Sequence, residues 1–92
     1  MKYISIIIPV YNVEVYIRGT LDSIYNQKVD DHLFEVIIVN DGTPDNSMDI
    51  VQEFAILHSN ITIINQINQG LSCARNSGMR VANGDFIWVV DS

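Results

Sequence analysis

The sequence predicts an α/β fold on a mostly parallel sheet, with elements in the order β-α-β-α-β-α-β. Four short runs, at residues 4–10, 34–39, 61–64 and 86–90, are almost wholly apolar and rich in Ile and Val, with Ser5, Glu35 and Thr62 as polar insertions. Runs without polar alternation suit strands covered on both faces, the condition of a parallel sheet. The segments between them carry apolar residues at helical spacing, and strands alternating with helices imply parallel pairing through right-handed crossovers.

Each element has its own justification. The first run ends at Pro9-Val10-Tyr11-Asn12, after which Ile17, Leu21 and Ile24 fall at i, i+4 and i+7 on one helical face. Asn12 is the expected N-cap of that helix. Residues 28–33 form the least patterned segment, and the Asp30-Asp31-His32 cluster there reads as a solvated loop rather than a metal site. After the second run, Thr43-Pro44-Asp45 reads as a cap followed by proline at the first helical position, with Met48, Val51, Phe54 and Ala55 as the buried stripe. The third helix carries Leu71, Ala74, Gly78 and Ala82 and is expected to stop at Asn83-Gly84. So little side chain on one face lets this helix lie close against the sheet.

Composition narrows the function. A chain of 92 residues supports one small core. With 5 Lys+Arg against 11 Asp+Glu its net charge is −6, and five scattered cations cannot make the clustered basic surface that nucleic acid requires. The single Cys73 excludes an intrachain disulfide framework and a multi-cysteine zinc site, which fits a reducing compartment. No apolar run approaches the roughly 18 residues of a membrane span, and the N-terminal run is broken by Pro9, a poor secretory signal. A cytoplasmic chain is expected.

Position then singles out candidates. Each run gives way to polar residues at its carboxyl end: Tyr11-Asn12, Asn40-Asp41, Asn65-Gln66 and Asp91-Ser92. In a parallel sheet these ends share one edge, where open α/β folds bind ligands at a topological switch point. A small-molecule site lined by Tyr11, Asp41 and Asp91 follows. Strand-end polar residues also cap helices, and that reading is preferred for Asn12 and Thr43. Asp41 stands awkwardly relative to Pro44 for capping, which favours a functional role, and for Asp91 both readings stay open. Several sites are excluded: there is no G-x-G-x-x-G after the first strand, no G-x-x-x-x-G-K-[ST] loop and no G-x-S-x-G elbow. His32 and His58 are not paired at ligand spacing, and His58 suits the C-terminal end of the second helix.

Four segments resemble the successive blocks of family 2 glycosyltransferases: IIIPVYN at 6–12, VNDGTPDNS at 39–47, NQGLSCARNSGMRVANG at 68–84 and FIWVVDS at 86–92. The resemblance implies a three-layer Rossmann-like (GT-A) fold, here truncated after the fourth strand, and inverting transfer from a nucleotide-sugar. It implies that Pro9, Val10 and Tyr11 wall the base and ribose, and that Asp41 accepts a base N–H such as N3–H of uracil. It places Arg75 at the base or phosphate side, with a surface ion pair, for instance to Asp41, as the alternative. Asn40 stands where the family commonly has an acid, and Asn76, Gly78 and Gly84 are assigned to packing and turns. Asp91 opens a D-x-D motif whose first acid contacts ribose.

The second acid of that motif, which holds Mn2+ or Mg2+ on the diphosphate, and the general base are expected beyond Ser92. Residues 1–92 are therefore expected to be one truncated domain, the nucleotide-binding half of a catalytic domain and inactive by itself. The implied partners are a UDP-sugar donor and a glycan or lipid-linked acceptor, in cell-wall or capsule polysaccharide synthesis. The full-length protein would sit in the cytoplasm, peripheral to the inner membrane face, and an exposed edge strand could drive self-association. The alternative is a non-enzymatic nucleotide-sensing or receiver-like module. That would need acids after the first strand and a later lysine, whereas residues 9–12 contain no acid and the lysines are Lys2 and Lys28.

Overall fold

The structure is a computed structural model that describes residues 3–90. Four strands, β1 (Ile4–Val10), β2 (Phe34–Asp41), β3 (Ile61–Gln66) and β4 (Phe86–Val89), form one all-parallel sheet in the order β3-β2-β1-β4. The helices are α1 (Ile17–Tyr25), α2 (Ser47–Leu57) and α3 (Leu71–Val81). β2 and β3 run two residues past their apolar runs, because Asn40 pairs with Asn65 and Asp41 with Gln66 in the ladder. These polar strand ends are satisfied by each other, so hydropathy alone cannot mark where the strands stop.

Strand alternation divides the core. Ile6, Ile8 and Val10 of β1 and Val36 and Ile38 of β2 turn to one face, where they pack with Ile17, Leu21 and Ile24 of α1 and Val51 and Phe54 of α2. Ile7, Ile37 and Val39 turn to the other face and meet Ala74 of α3. Three layers result. Each fully buried Ile, Leu or Val contributes roughly 1.5–3 kcal/mol relative to exposure, which makes the doubly covered β1–β2 pair the chief source of stability. The sheet grows outward from β1 to β3, then α3 carries the chain back over both strands to set β4 on the far side of β1. The strand order reverses between β1 and β4.

Helix ends differ from the sequence reading. Asn12 is not the N-cap of α1: it is left-handed, with φ 56°, and a turn stabilised by the Val13 carbonyl intervenes before Ile17. Thr43 and Pro44 do not open α2, which starts at Ser47 with Asn46 at the cap position. Residues 28–33 are not simply a solvated loop. Asp30 accepts the His32 N–H at 2.8 Å in a 3-10 turn spanning Asp31–Leu33, and Asp31 lies 3.1 Å from Nδ1 of His58. The His58 ring stacks on Tyr25 with centroids 3.7 Å apart.

α3 also stops differently. Ala82 turns extended, and neither Asn83 nor Gly84 is among the positive-φ residues. The buried carboxylate of Glu35 takes over, accepting the Ser5 hydroxyl and the Asn83 N–H, both at 2.6 Å, while Ser5 Oγ accepts the Gly84 N–H at 2.8 Å. Two polar insertions in apolar strands thus pin the turn that leads into β4. Beyond that turn Phe86, Ile87 and Trp88 remain exposed on an open edge, beside a groove of about 590 Å³ between α1 and β4.

Both close approaches of backbone to sheet need glycine. A Cβ on Gly78 would stand 2.5 Å from Cγ2 of the buried Ile7, and one on Gly84 would stand 2.6 Å from the Ser5 backbone nitrogen. Overpacking of this kind costs about 1–3 kcal/mol, whereas alanine in a helix interior gains about 1 kcal/mol over glycine. Gly84→Ala, which lacks that offset and meets backbone, is expected to lower the urea unfolding free energy more than Gly78→Ala. Equal or reversed losses would contradict this account of the α3–β4 turn.

Candidate functional site

A cleft of about 520 Å³ opens at the carboxyl end of the sheet, lined by Pro9, Tyr11, Val13, Asp41, Asn68, Gly70, Leu71 and Ala74. Pro9 lines it from the end of β1. Among the described residues, pairing between β1 and β4 ends at Ile7 with Val89, and the Ile7 carbonyl accepts the Val90 N–H. Pro9 has the same parity as Ile7, so its missing donor falls on the β4 side, where it cannot extend the ladder. Strand order reverses between β1 and β4, and such a switch point is where open α/β sheets bind ligands.

Two carboxylates shape the loops above this edge. Asp45 ties the loop after β1 to the loop after β2. Its Oδ1 accepts the hydroxyls of Thr43 and Ser47, both at 2.7 Å, and the Ser47 N–H at 3.1 Å, and its Oδ2 accepts the Glu14 N–H at 3.0 Å. Glu14 answers by accepting the Asn46 N–H at 3.3 Å, and Thr43 Oγ1 accepts the Asn12 N–H at 2.9 Å. Burial alone would raise the pKa of Asp45, but the Ser47, Thr43 and Glu14 donors outweigh it and hold the carboxyl down to about 2. The Thr43-Pro44-Asp45 pattern predicts Asp45 in a first helical turn, whereas α2 starts only at Ser47. The spacing of Asp45 to Ser47, an aspartate two residues before the N–H it accepts, is the available sign of a side-chain turn.

Asp41 is 2% exposed and ties the end of β2 to the loop before α3. Its Oδ1 accepts Gln66 Nε2 and the Gln69 N–H, both at 2.9 Å, and its Oδ2 accepts the Gly70 N–H at 3.0 Å and Asn68 Nδ2 at 3.2 Å. Burial opposes ionisation, yet the Gln66, Gln69 and Gly70 donors bring the pKa below its ordinary value. Gly70, at the N-cap of α3, has φ 96°, and Gly42 has φ 68° with no room for a Cβ against the Asn68 nitrogen. Asp41 therefore supplies, from a neighbouring strand, the anionic group that a helix N-terminus favours.

Asn40 has a reason of its own. Its Oδ1 accepts the Thr43 N–H and its Nδ2 donates to Asn65 Oδ1, both at 3.0 Å. A carboxylate could take the first bond but not give the second.

Pro9, Tyr11 and Asp41 share the cleft, with Tyr11 45% exposed. Val10 does not join them: alternation turns its side chain to the opposite face, fully buried in the α1–α2 core, so it can shape the wall only through its backbone. Arg75 follows Ala74 on α3 and is half-buried; among the described residues no ion pair joins it to Asp41, whose partners are amide donors. Asp91 lies outside the described residues. Asn68, Gly70 and Leu71 line the cleft without having been singled out as ligand contacts. Their sign in the sequence was the polar Asn-Gln-Gly run between the third strand and the third helix.

An all-parallel three-layer sheet with its cleft at the β1–β4 switch point is the Rossmann-like arrangement of GT-A domains. The chain belongs to glycosyl transferase family 2, whose sequence model matches residues 5–92. EpsH of Bacillus subtilis (strain 168) is 46% identical over 89 residues, 97% of this chain and 25% of that protein. The crystal structure of S. aureus TarS residues 1–349 in complex with UDP-GlcNAc superposes with a TM-score of 0.91 at 32% identity, covering 97% of this chain and 26% of that one. The mannosyltransferase PcManGT from Pyrobaculum calidifontis, in complex with GDP-Man and Mn2+, gives 0.87 at 27% identity over 96% of this chain and 26% of that one. The chain thus spans about a quarter of each of these proteins. Membership of this family sets aside the receiver-like alternative.

The Asp45 tie carries a pH signature. Its carboxyl titrates lower when folded than unfolded, so its stabilisation is complete above about pH 4 and fades as pH falls toward about 2. Asp45→Ala leaves the Glu14 and Ser47 N–H groups without their acceptor and is expected to cost about 1–3 kcal/mol at pH 7. Urea unfolding of parent and variant should then converge between pH 4 and 2. A gap independent of pH would remove the ionised carboxylate from the account.

Proposed function

We propose that this chain forms the donor-nucleotide side of a glycosyltransferase that moves a sugar from a nucleoside diphosphate, a UDP-sugar, to a polysaccharide or glycoconjugate acceptor. The observation that carries the reading is the cleft itself. An exposed Tyr11 lines it together with Asn68 and Gly70, in a domain that superposes on a TarS structure holding UDP-GlcNAc. An aromatic face suits a pyrimidine base, and Asp41 and the neighbouring amides suit its polar edge and the ribose. Arg75, on the helix that borders the cleft, serves the base or phosphate side. Asp91 serves the ribose.

The transfer is inverting and uses a divalent cation, Mn2+ or Mg2+, as in the Mn2+-containing complex of PcManGT. Among the described residues no three His, Cys, Asp or Glu side chains converge on a cation position, and Asp41 and Asp45 are engaged by protein donors. In this reading the second acid of the D-x-D motif, as cation ligand, and the general base fall beyond Ser92, and residues 1–92 alone, one truncated domain, do not turn over. The full-length protein works in the cytoplasm at the inner membrane face. No helix among the described residues is long and apolar enough to cross a membrane. In isolation, the open β4 edge with exposed Phe86, Ile87 and Trp88 drives self-association.

Titration of the chain with UDP, followed by amide NMR, is expected to shift Tyr11, Gly70 and Arg75. Tyr11→Ala should weaken binding roughly tenfold or more, the scale of one base–aromatic stack of about 1–3 kcal/mol. Shifts confined to other faces, or inorganic diphosphate binding as tightly as UDP, would overturn a nucleoside site here.

A further inference from the structure

The donors on Asp41 are not equivalent. Those of Gln69 and Gly70 are backbone groups of the turn that lines the cleft, whereas Gln66 lies on β3 and is absent from the lining. Gln66 is held from two sides: its Nε2 donates to Asp41 Oδ1 at 2.9 Å, and its Oε1 accepts the Ser77 hydroxyl of α3 at 2.6 Å. An ionised carboxylate can only accept, so the amide edge facing Asp41 must be the NH2 group, and the carbonyl is left for Ser77. Ser77 Oγ also lies 3.0 Å from the Cys73 carbonyl. Its single proton goes to the nearer Gln66 oxygen. The amide therefore cannot flip without putting its carbonyl against the Asp41 carboxylate, and the Ser77 hydroxyl braces its far end.

The carboxylate, fixed in this way, decides where the turn sits. Its two oxygens receive the successive N–H groups of Gln69 and Gly70 together with Asn68 Nδ2, and Asn68 also donates to the Asp41 carbonyl at 3.0 Å. A carboxylate rotated about its Cβ–Cγ bond would meet these donors out of line, and hydrogen bonds weaken steeply with misalignment. Polar chains of this kind in a low-dielectric setting also reinforce one another.

We propose that Gln66, braced by Ser77, is a positioning residue that orients the Asp41 carboxylate and thereby holds the 68–70 turn as one wall of the nucleotide cleft. The ligand side of this claim rests on the reading of the cleft given above. The positioning side does not.

Hydrogen exchange and UDP titration on the full chain test the two sides separately. Gln66→Glu keeps the shape but removes the donor and sets a second carboxylate against Asp41. The Gln69 and Gly70 amides are expected to exchange about tenfold faster or more, and UDP to bind about tenfold more weakly, the scale of one hydrogen bond to a charged group. Amides of the buried Ile37 and Val39 should keep their protection. Ser77→Ala, which frees the Gln66 amide without adding charge, should move the same two amides in the same direction by less, and it serves alone if Gln66→Glu does not fold. Unchanged Gln69 and Gly70 exchange in a folded variant would overturn the proposal. So would a uniform rise that includes Ile37 and Val39, because that marks general loss of stability. If the parent chain does not bind UDP, the nucleotide reading fails, while the amide comparison still decides whether Gln66 positions the turn.

Discussion

Everything at the working edge of this domain depends on satisfying two carboxylates, Asp41 buried and Asp45 half-buried. A carboxylate without partners in such a place would protonate or expel the loop that buries it. Asp41 and Asp45 instead collect donors from segments that follow other strands, and both are held below the ordinary carboxylate pKa despite burial. The loops after β1 and β2 meet through Asp45, and the ends of β2 and β3 meet the start of α3 through Asp41. The cleft is the space these ties leave open, bounded by Pro9 and Tyr11 on one side and by the start of α3 on the other.

The opposite edge of the sheet uses the same device for a different end. Glu35 and Ser5 hold the turn at 83–84 and so deliver β4 to its place beside β1. Buried polar contacts at both edges thus join segments far apart in sequence, while the apolar faces of β1 and β2 supply most of the burial. Specific geometry comes from the polar ties, and cohesion comes from the Ile and Val side chains between them. A ligand cleft at a switch point gains from this arrangement, because its walls stand on rigid strands rather than on free loops.

The periodic features were legible in the sequence for a physical reason. Strand and helix periods follow from local backbone geometry, so the positions of β1, the buried stripe of α1 and the close fit of α3 through Gly78 could be read from spacing alone. Caps and loop ends could not. Asn12, expected to cap α1, is left-handed and gives its N–H to Thr43, 31 residues away. The glycine expected to stop α3 by its own conformation, Gly84, is needed for contact with Ser5, 79 residues away. Asn40, surprising beside the family pattern, makes sense only once Asn65 stands next to it.

The sequence by itself determined the α/β class, the strand and helix order and the gathering of polar residues at the carboxyl edge, since each of these is encoded by neighbours within a few residues. It also carried the four blocks that place the chain in its family. Only the tertiary structure decided that Val10 faces the core while Pro9 and Tyr11 face the cleft, that Asn68 and Gly70 complete the wall, and that Gln66 stands behind Asp41. These facts depend on strand register and on which loops meet across the sheet edge. They are set by contacts between distant segments, which no local pattern records.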